Sequence, residues 1–216
     1  VLAITHDEDA FSLQSVQQKD IRDFYYALSH VKIISQLASD AVLSDVTNPD
    51  HLDLYRRARR SIHALVQFCS EDKIEDDKHI VGRPNTLHQN ILLDLDISEP
   101  LMKIVTLPFA GTNCSAWAEG WRGQLATDKL RPFNKLARDV YRLLSYLCRE
   151  NVHVGLTLAN SHLHDMINQC RLIGYLDDVS WDIADTLDEM FKDNSILLNR
   201  VTKQSIETYL SLIHEA

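Results

Sequence analysis

A short basic segment contains the side chains best suited to binding an anion. Residues 55–60 read Tyr-Arg-Arg-Ala-Arg-Arg, which places four guanidinium groups close together. Such a cluster could bind phosphate groups, or it could serve as a calmodulin-binding or nuclear-import segment. The simpler interpretation is the solvated face of one amphipathic helix. We favour that interpretation, because Asp53, Glu71 and Asp72 dilute the local positive charge.

Histidine and cysteine side chains are the candidate metal ligands. His162 and His164 lie two residues apart, so on a helix they point in different directions and cannot hold one metal ion as an i, i+4 pair could. The four cysteines are scattered and form no Cys-x-x-Cys pair, at Cys69, Cys114, Cys148 and Cys170. We therefore expect no metal site and no disulfide framework, with reduced cysteines in the core.

Motifs for catalysis are not found in the sequence. It has no phosphate-binding glycine loop, nucleophile elbow, metalloprotease helix or kinase signature. We therefore expect that the chain is not an enzyme and needs no cofactor. Trp117 and Trp121, in a glycine-containing segment, could clamp a partner, but we favour a role in anchoring their own loop.

The composition favours helices and excludes two classes of partner. Among 216 residues there are only 6 glycines and 5 prolines, which predicts an all-α fold with few tight turns. The formal net charge of −9 argues against nucleic acid or an anionic membrane as the main partner. No apolar run approaches the roughly 18 residues that span a bilayer, so we expect no membrane insertion by this segment. The sequence begins with Val1 rather than Met, and we expect it to be a fragment of a larger protein.

Apolar residues spaced three and four apart predict a series of amphipathic helices. The clearest stripe begins at Leu130, and Asn-Pro at 48–49 and Pro-Asn at 84–85 predict helix starts. We expect helices at about 19–43, 49–68, 85–93, 98–107, 130–148, 154–169, 180–191 and 202–214, the last one capped by Thr202. Residues 1–17 should form a short extended lead-in, and 70–79 and 108–128 should form loops. Successive amphipathic helices suggest armadillo-like stacked helix pairs.

Several segments, in order, resemble a known family. Residues 83–94 read Arg-Pro-Asn-Thr-Leu-His-Gln-Asn-Ile-Leu-Leu-Asp and residues 101–109 read Leu-Met-Lys-Ile-Val-Thr-Leu-Pro-Phe. Residues 139–144, 151–160 and 201–213 continue the match, and 9–24 match its beginning. Together they resemble the homology domain of inositol trisphosphate and ryanodine receptors, and the spacing to Pro-Phe favours the inositol trisphosphate receptor branch.

The resemblance implies a domain organisation. Residues 1–17 would lead in from a preceding β-trefoil, 18–80 would form a first helical unit, and 81–216 would form the homology domain. In the family, the trefoil and the helical domain bind inositol trisphosphate between them, and the helical side supplies several Lys and Arg residues and a Tyr.

The resemblance also implies which positions would face that ligand, and most of them lack a cation here. The family's basic positions fall on Thr86, Asn90 and Leu93, and His88 replaces another Arg. Its Tyr-Arg-Lys run falls on Asn151, Val152 and His153. Arg22 and Arg83 alone keep their charge. We therefore expect very weak or no inositol trisphosphate binding; a local slip in the alignment would instead leave Arg56–Arg60 or Arg149 to serve.

These observations give one main functional hypothesis and one alternative. The main hypothesis is a regulatory domain of a homotetrameric calcium-release channel, on the cytosolic face of the endoplasmic reticulum. Its partners would be adjacent domains and neighbouring subunits. The alternative is a helical interaction module from a protein that is not a channel.

Overall fold

The structure, a computed structural model, describes residues 2–7, 10–15, 17–39, 45–46, 48–71, 82–107, 127–173, 181–199, 201, 203 and 207. Two strands, β1 (Leu2–Asp7) and β2 (Ala10–Ser15), pair antiparallel with Leu2 opposite Ser15. The helices are α1 (Gln18–Leu37), α2 (Leu52–Phe68), α3 (Thr86–Asp94), α4 (Ser98–Thr106), α5 (Arg131–Cys148), α6 (Val152–Ile173), α7 (Ile183–Phe191) and α8 (Ser195–Leu198). A 3-10 turn, Pro49–His51, precedes α2. The fold is all-α, as predicted, and the extended lead-in is a β-hairpin.

Helix α5 lies at the centre of the fold. Thirteen of its 18 residues are buried, many more than one apolar stripe would require. The reason is that α2, α4, α6 and α7 all pack against it. Each large apolar side chain that leaves water there stabilises the fold by about 1.5–3 kcal/mol.

Aromatic rings join α5 to the segment before α7. Trp181 is almost completely buried, and its ring stacks on that of Tyr141, with centroids 6.4 Å apart. Phe133 meets the same indole edge-on at 6.0 Å. The Thr186 hydroxyl then donates to the Tyr141 carbonyl oxygen at 2.9 Å. These contacts fix α7 against α5.

Asparagine side chains cap the 3-10 turn, α3 and α8. The Asn48 side chain accepts from the Asp50 amide, and that of Asn85 accepts from the His88 amide. Asn194 caps α8 in the same way, through the Leu197 amide. A side-chain cap satisfies one of the backbone donors that a helix start leaves open. The helix starts predicted from Asn48 and Asn85 are thus confirmed.

The other predicted boundaries differ by a few residues. Helix α1 ends at Leu37, before the predicted residue 43, and α6 extends beyond both predicted ends. Helix α8 was not predicted, because four residues are too few to show a period. Most of the loops predicted at 70–79 and 108–128, and most of the helix predicted at 202–214, lie outside the described residues. The armadillo-like stacking and the boundary at 80/81 stay predictions.

None of the helices in the described ranges is long and apolar enough to cross a membrane.

Candidate functional site

Three elements bring the family-equivalent positions together. Helix α3 contacts both α1 and α6, so the start of α1, the length of α3 and the start of α6 form one region, which we call the junction. It carries the nine positions selected from the sequence: Arg22, Arg83, Thr86, His88, Asn90, Leu93, Asn151, Val152 and His153. The printed side-chain contacts between these elements join His88 to Asp23 and Asn90 to Asn151.

His88 is held by the protein on three sides. Its ring stacks face to face on Phe68, with centroids 3.9 Å apart and planes 7° apart. Nδ1 lies 2.6 Å from the carbonyl oxygen of Phe68, and Nε2 lies 3.3 Å from a carboxylate oxygen of Asp23. Both ring nitrogens therefore face acceptors supplied by the protein. The imidazole ties α3 to the end of α2 and to α1.

Gln89, the next residue, joins α3 to α5 and α6. It is fully buried, and its amide nitrogen donates to the carbonyl oxygens of Tyr146, at 2.9 Å, and Arg149, at 3.0 Å. Its amide oxygen accepts from Asn151 Nδ2 at 3.1 Å. A buried amide in an apolar core must find partners for each polar group, and Gln89 does so with backbone and side chain together.

Asn151 completes this network and starts α6. Its Nδ2 also donates to Asn90 Oδ1 at 3.1 Å, and its Oδ1 accepts from the Val154 amide at 3.2 Å. The side chain is buried. Two of the nine positions, Asn90 and Asn151, thus bond to each other, and Asn151 caps a helix.

The remaining positions give the junction little positive charge. Leu93 packs against the core, whereas Thr86, Val152 and His153 are exposed. The guanidinium groups of Arg22 and Arg83 are the two arginine charges among the nine, and the Asp23 carboxylate lies beside the first in sequence. Binding of several phosphates needs several charge-assisted donors. Among the nine positions, the guanidinium groups of Arg22 and Arg83 are charged donors of this kind.

The basic segment 55–60 lies on α2, away from the nine positions. Arg56, Arg57 and Arg60 are exposed, as the solvated-face interpretation predicted. Arg59 points inward instead, and its Nε lies 2.5 Å from Asp139 Oδ2 on α5. His63 Nε2 lies 3.1 Å from the same oxygen. Asp139 thus fixes α2 to α5 through two partners.

Sequence reasoning missed the roles of Asp139 and Gln89. Asp139 had a visible signal, since a carboxylate within the apolar stripe of α5 is costly to bury without a partner. Gln89 gave no such signal, because the carbonyl groups to which it donates, those of Tyr146 and Arg149, lie 57 and 60 residues away in the sequence. A local pattern cannot reveal such a contact.

The described cysteines are buried or half-buried and free. Burial raises the pKa of the thiols of Cys69 and Cys148 well above the ordinary value and that of Cys170 to about 11. These thiols stay protonated at neutral pH, which makes them poor metal ligands. Within the described ranges, no group of three or more His, Cys, Asp or Glu residues could hold a metal ion. Cys114 lies outside those ranges.

His162 and His164 do not form a pair. His162 Nε2 lies 3.8 Å from a Glu99 carboxylate oxygen, while His164 is exposed.

Comparison with protein families identifies one match. The model of the family described as the RIH domain matches residues 59–216. The matched region includes all but Arg22 of the nine positions and extends from within α2 to the last residue of the sequence.

Proposed function

The chain belongs to the RIH domain family, found in inositol trisphosphate and ryanodine receptors, and from that membership we propose that it is a regulatory domain of an intracellular calcium-release channel. The observation that carries this proposal is the family match over 59–216. Its work is contact rather than catalysis. The full protein is a homotetramer whose regulatory domains face the cytosol from the endoplasmic reticulum membrane.

The proposed role is a mechanical relay. A signal received by neighbouring domains favours one packing arrangement of the helices over another, and the domain passes this preference to the rest of the channel. The central position of α5, packed against α2, α4, α6 and α7, supports this role. A shift of any one of these helices has to be accommodated by the others, because packed cores resist continuous deformation.

We also propose that inositol trisphosphate binds very weakly or not at all. Of the nine positions, His88, Asn90 and Asn151 are bonded to the protein itself, and two carry a guanidinium group. Each lost charge-assisted contact costs about 1.5–3 kcal/mol. Three such losses remove much or all of the roughly 8 kcal/mol that a micromolar affinity represents. A signal other than inositol trisphosphate then operates the relay.

The channel proposal is tested on the full-length protein reconstituted into calcium-loaded vesicles. We expect a homotetramer by native mass spectrometry and calcium release that can be switched on. A protein that is monomeric and leaves the vesicle calcium unchanged under all conditions would contradict the proposal and favour the helical interaction module. A channel that releases calcium on addition of inositol trisphosphate alone would keep the channel proposal and remove the weak-binding one.

A further inference from the structure

The outer face of α2 carries three exposed arginines, Arg56, Arg57 and Arg60. Within the part of the chain that the structure describes, their guanidinium groups form no ion pair. They lie on the side of the helix opposite the buried residues Ile62 and Leu65, so their charges point away from the core. We call these three arginines the basic face.

The basic face is carried by a fixed helix. Arg59, from the same segment, turns inward to the Asp139 carboxylate of α5. Tyr55 is buried, and its hydroxyl donates to the Val46 carbonyl oxygen at 3.2 Å. Asp53, one turn earlier on the outer side, is an exposed carboxylate, which leaves two positive charges in excess there (three minus one). This excess is an exception on a chain whose formal net charge is −9.

The outer face of α7 carries the opposite charge. Asp185 and Asp188 are exposed, and their carboxylates form no ion pair with any residue in the described ranges. They lie on the side of α7 away from Thr186, whose hydroxyl donates to the Tyr141 carbonyl oxygen of α5. Lys192, the next cation in the sequence, lies beyond the end of the helix. We call these two carboxylates the acidic face.

The two faces belong to helices on different sides of α5. Helix α2 meets α5 at Asp139, and α7 meets it at Tyr141. Two residues correspond to about 200° around an α-helix. Because both outer helices pack on the same central helix, the direction of one face relative to the other is fixed. Each chain therefore presents a basic face on one side and an acidic face on another.

A second copy of the chain complements both faces. Arg56 and Arg60 are four residues apart, and Asp185 and Asp188 are three apart. Residues at either spacing lie about 5–6 Å from each other on a helix surface, so the opposite charges recur at matching intervals. When the basic face of one copy meets the acidic face of the next, the other face of each copy is left to repeat the contact. A partner of a single charge would match one face and leave the other unmatched.

We infer that the basic face of α2 docks on the acidic face of α7 in a second copy of this chain. The contact is head-to-tail, because two different surfaces meet, and contacts of this kind close into rings. The inference deepens the proposed function and rests on it for a ring of four, in which these faces join neighbouring regulatory domains. Exposed ion pairs contribute little each and are screened by salt. The contact is therefore weak, which suits domains that separate and rejoin during gating.

Reversing the charges of the two faces tests the contact. One variant combines Arg56→Glu and Arg60→Glu, and the other combines Asp185→Lys and Asp188→Lys. Each variant alone brings like charges together, so its self-association at about 50 mM salt, measured by sedimentation equilibrium of the full chain, should be about five- to tenfold weaker than that of the parent. An equimolar mixture of the two variants restores opposite charges and should associate within about twofold of the parent. At about 500 mM salt these differences should disappear.

Two further variants control for net charge. Lys19→Glu with Lys32→Glu, and Asp94→Lys with Asp128→Lys, reverse the same numbers of charges at exposed positions on neither face. Each should associate more tightly than the face variant of equal net charge, and mixing the two controls should give no recovery. A parent chain that stays monomeric at about 1 mM and low salt would overturn the inference, as would a mixture of face variants that associates no better than either alone. Because this experiment reports on contact between copies, its failure leaves the vesicle experiment as a separate test of the channel.

Discussion

Gln89 on α3, in the junction, and Asp185 on α7 are both polar residues on helices, but their surroundings differ. Gln89 is fully buried, and its amide bonds to two backbone carbonyls and to Asn151. Asp185 is exposed beside a strip of arginines and lysine. The polar groups of Gln89 thus hold helices together, whereas the carboxylate of Asp185 faces solvent. The position of a polar side chain in a family motif therefore does not establish that it binds a ligand.

The largest expected effect comes from removing the central amide of the junction. Gln89→Leu leaves the Tyr146 and Arg149 carbonyls without their side-chain donor and removes one of the two hydrogen bonds that Asn151 Nδ2 donates. Each unsatisfied group costs about 1–3 kcal/mol, so we expect a loss of about 3 kcal/mol in the free energy of unfolding, measured by urea denaturation. Gln36→Leu, at an exposed position of α1, is the control and should change stability by less than about 0.5 kcal/mol. If Gln89→Leu and Gln36→Leu lowered the free energy of unfolding by the same small amount, the hydrogen bonds of Gln89 would not be what holds the junction together.

A smaller effect is expected at His88. His88→Phe keeps a ring against Phe68 but loses the bonds to the Phe68 carbonyl and to Asp23. We expect a loss of about 1–2 kcal/mol in the free energy of unfolding, again from urea denaturation. His153→Phe is the matched control, because His153 is exposed at the start of α6. If His88→Phe were as stable as the parent chain, the imidazole nitrogens would not be fixed as the structure shows.

Asp139→Asn tests the contacts that join α2 to α5, in which Arg59 and His63 meet the Asp139 carboxylate. The substitution removes the charge that Arg59 and His63 share while keeping the size of the side chain. Arg59 is partly exposed, so solvent screening limits the loss in the free energy of unfolding to about 1 kcal/mol. The loss should shrink at 1 M salt. If Asp139→Asn lowered the free energy of unfolding by more than Gln89→Leu does, the Asp139 contacts would stabilise the fold more than the junction network does.

The fold could be predicted from the sequence where the signal is local. The Asn85 cap and the apolar stripe of α5 needed only neighbours along the chain, and both were confirmed. The structural role of His88 and Gln89 could not be predicted. Each bonds to a backbone carbonyl of another helix, His88 to one of α2 and Gln89 to one of α5. A carbonyl carries no sequence signature. The resemblance to the family did not reveal these contacts either.

The smallest effect concerns His30, whose ring lies edge-on to Tyr26 beside the Phe68–His88 stack. Burial lowers the pKa of His30 below its ordinary value of 6.5. Because the pKa of His30 is lower in the folded protein, the unfolded chain takes up the proton at a higher pH. Stability that is present above about pH 6.5 is therefore lost as the pH falls toward the pKa of the folded protein. His30→Phe should therefore narrow the difference in unfolding free energy between pH 7 and pH 5. If His30→Phe left that difference unchanged, the assignment would be contradicted.

We propose that inositol trisphosphate binds very weakly or not at all because the junction lacks most of the cations that bind it in the family. Calorimetric titration of inositol trisphosphate into the full-length protein at low salt compares the parent with a variant that combines Thr86→Lys, Val152→Arg and His153→Lys. The control adds three cations at exposed positions elsewhere, through Ser35→Lys, Gln36→Lys and Leu198→Lys. We expect no detectable heat from the parent or the control and measurable binding by the variant with cations in the junction. Micromolar binding by the parent would contradict the claim.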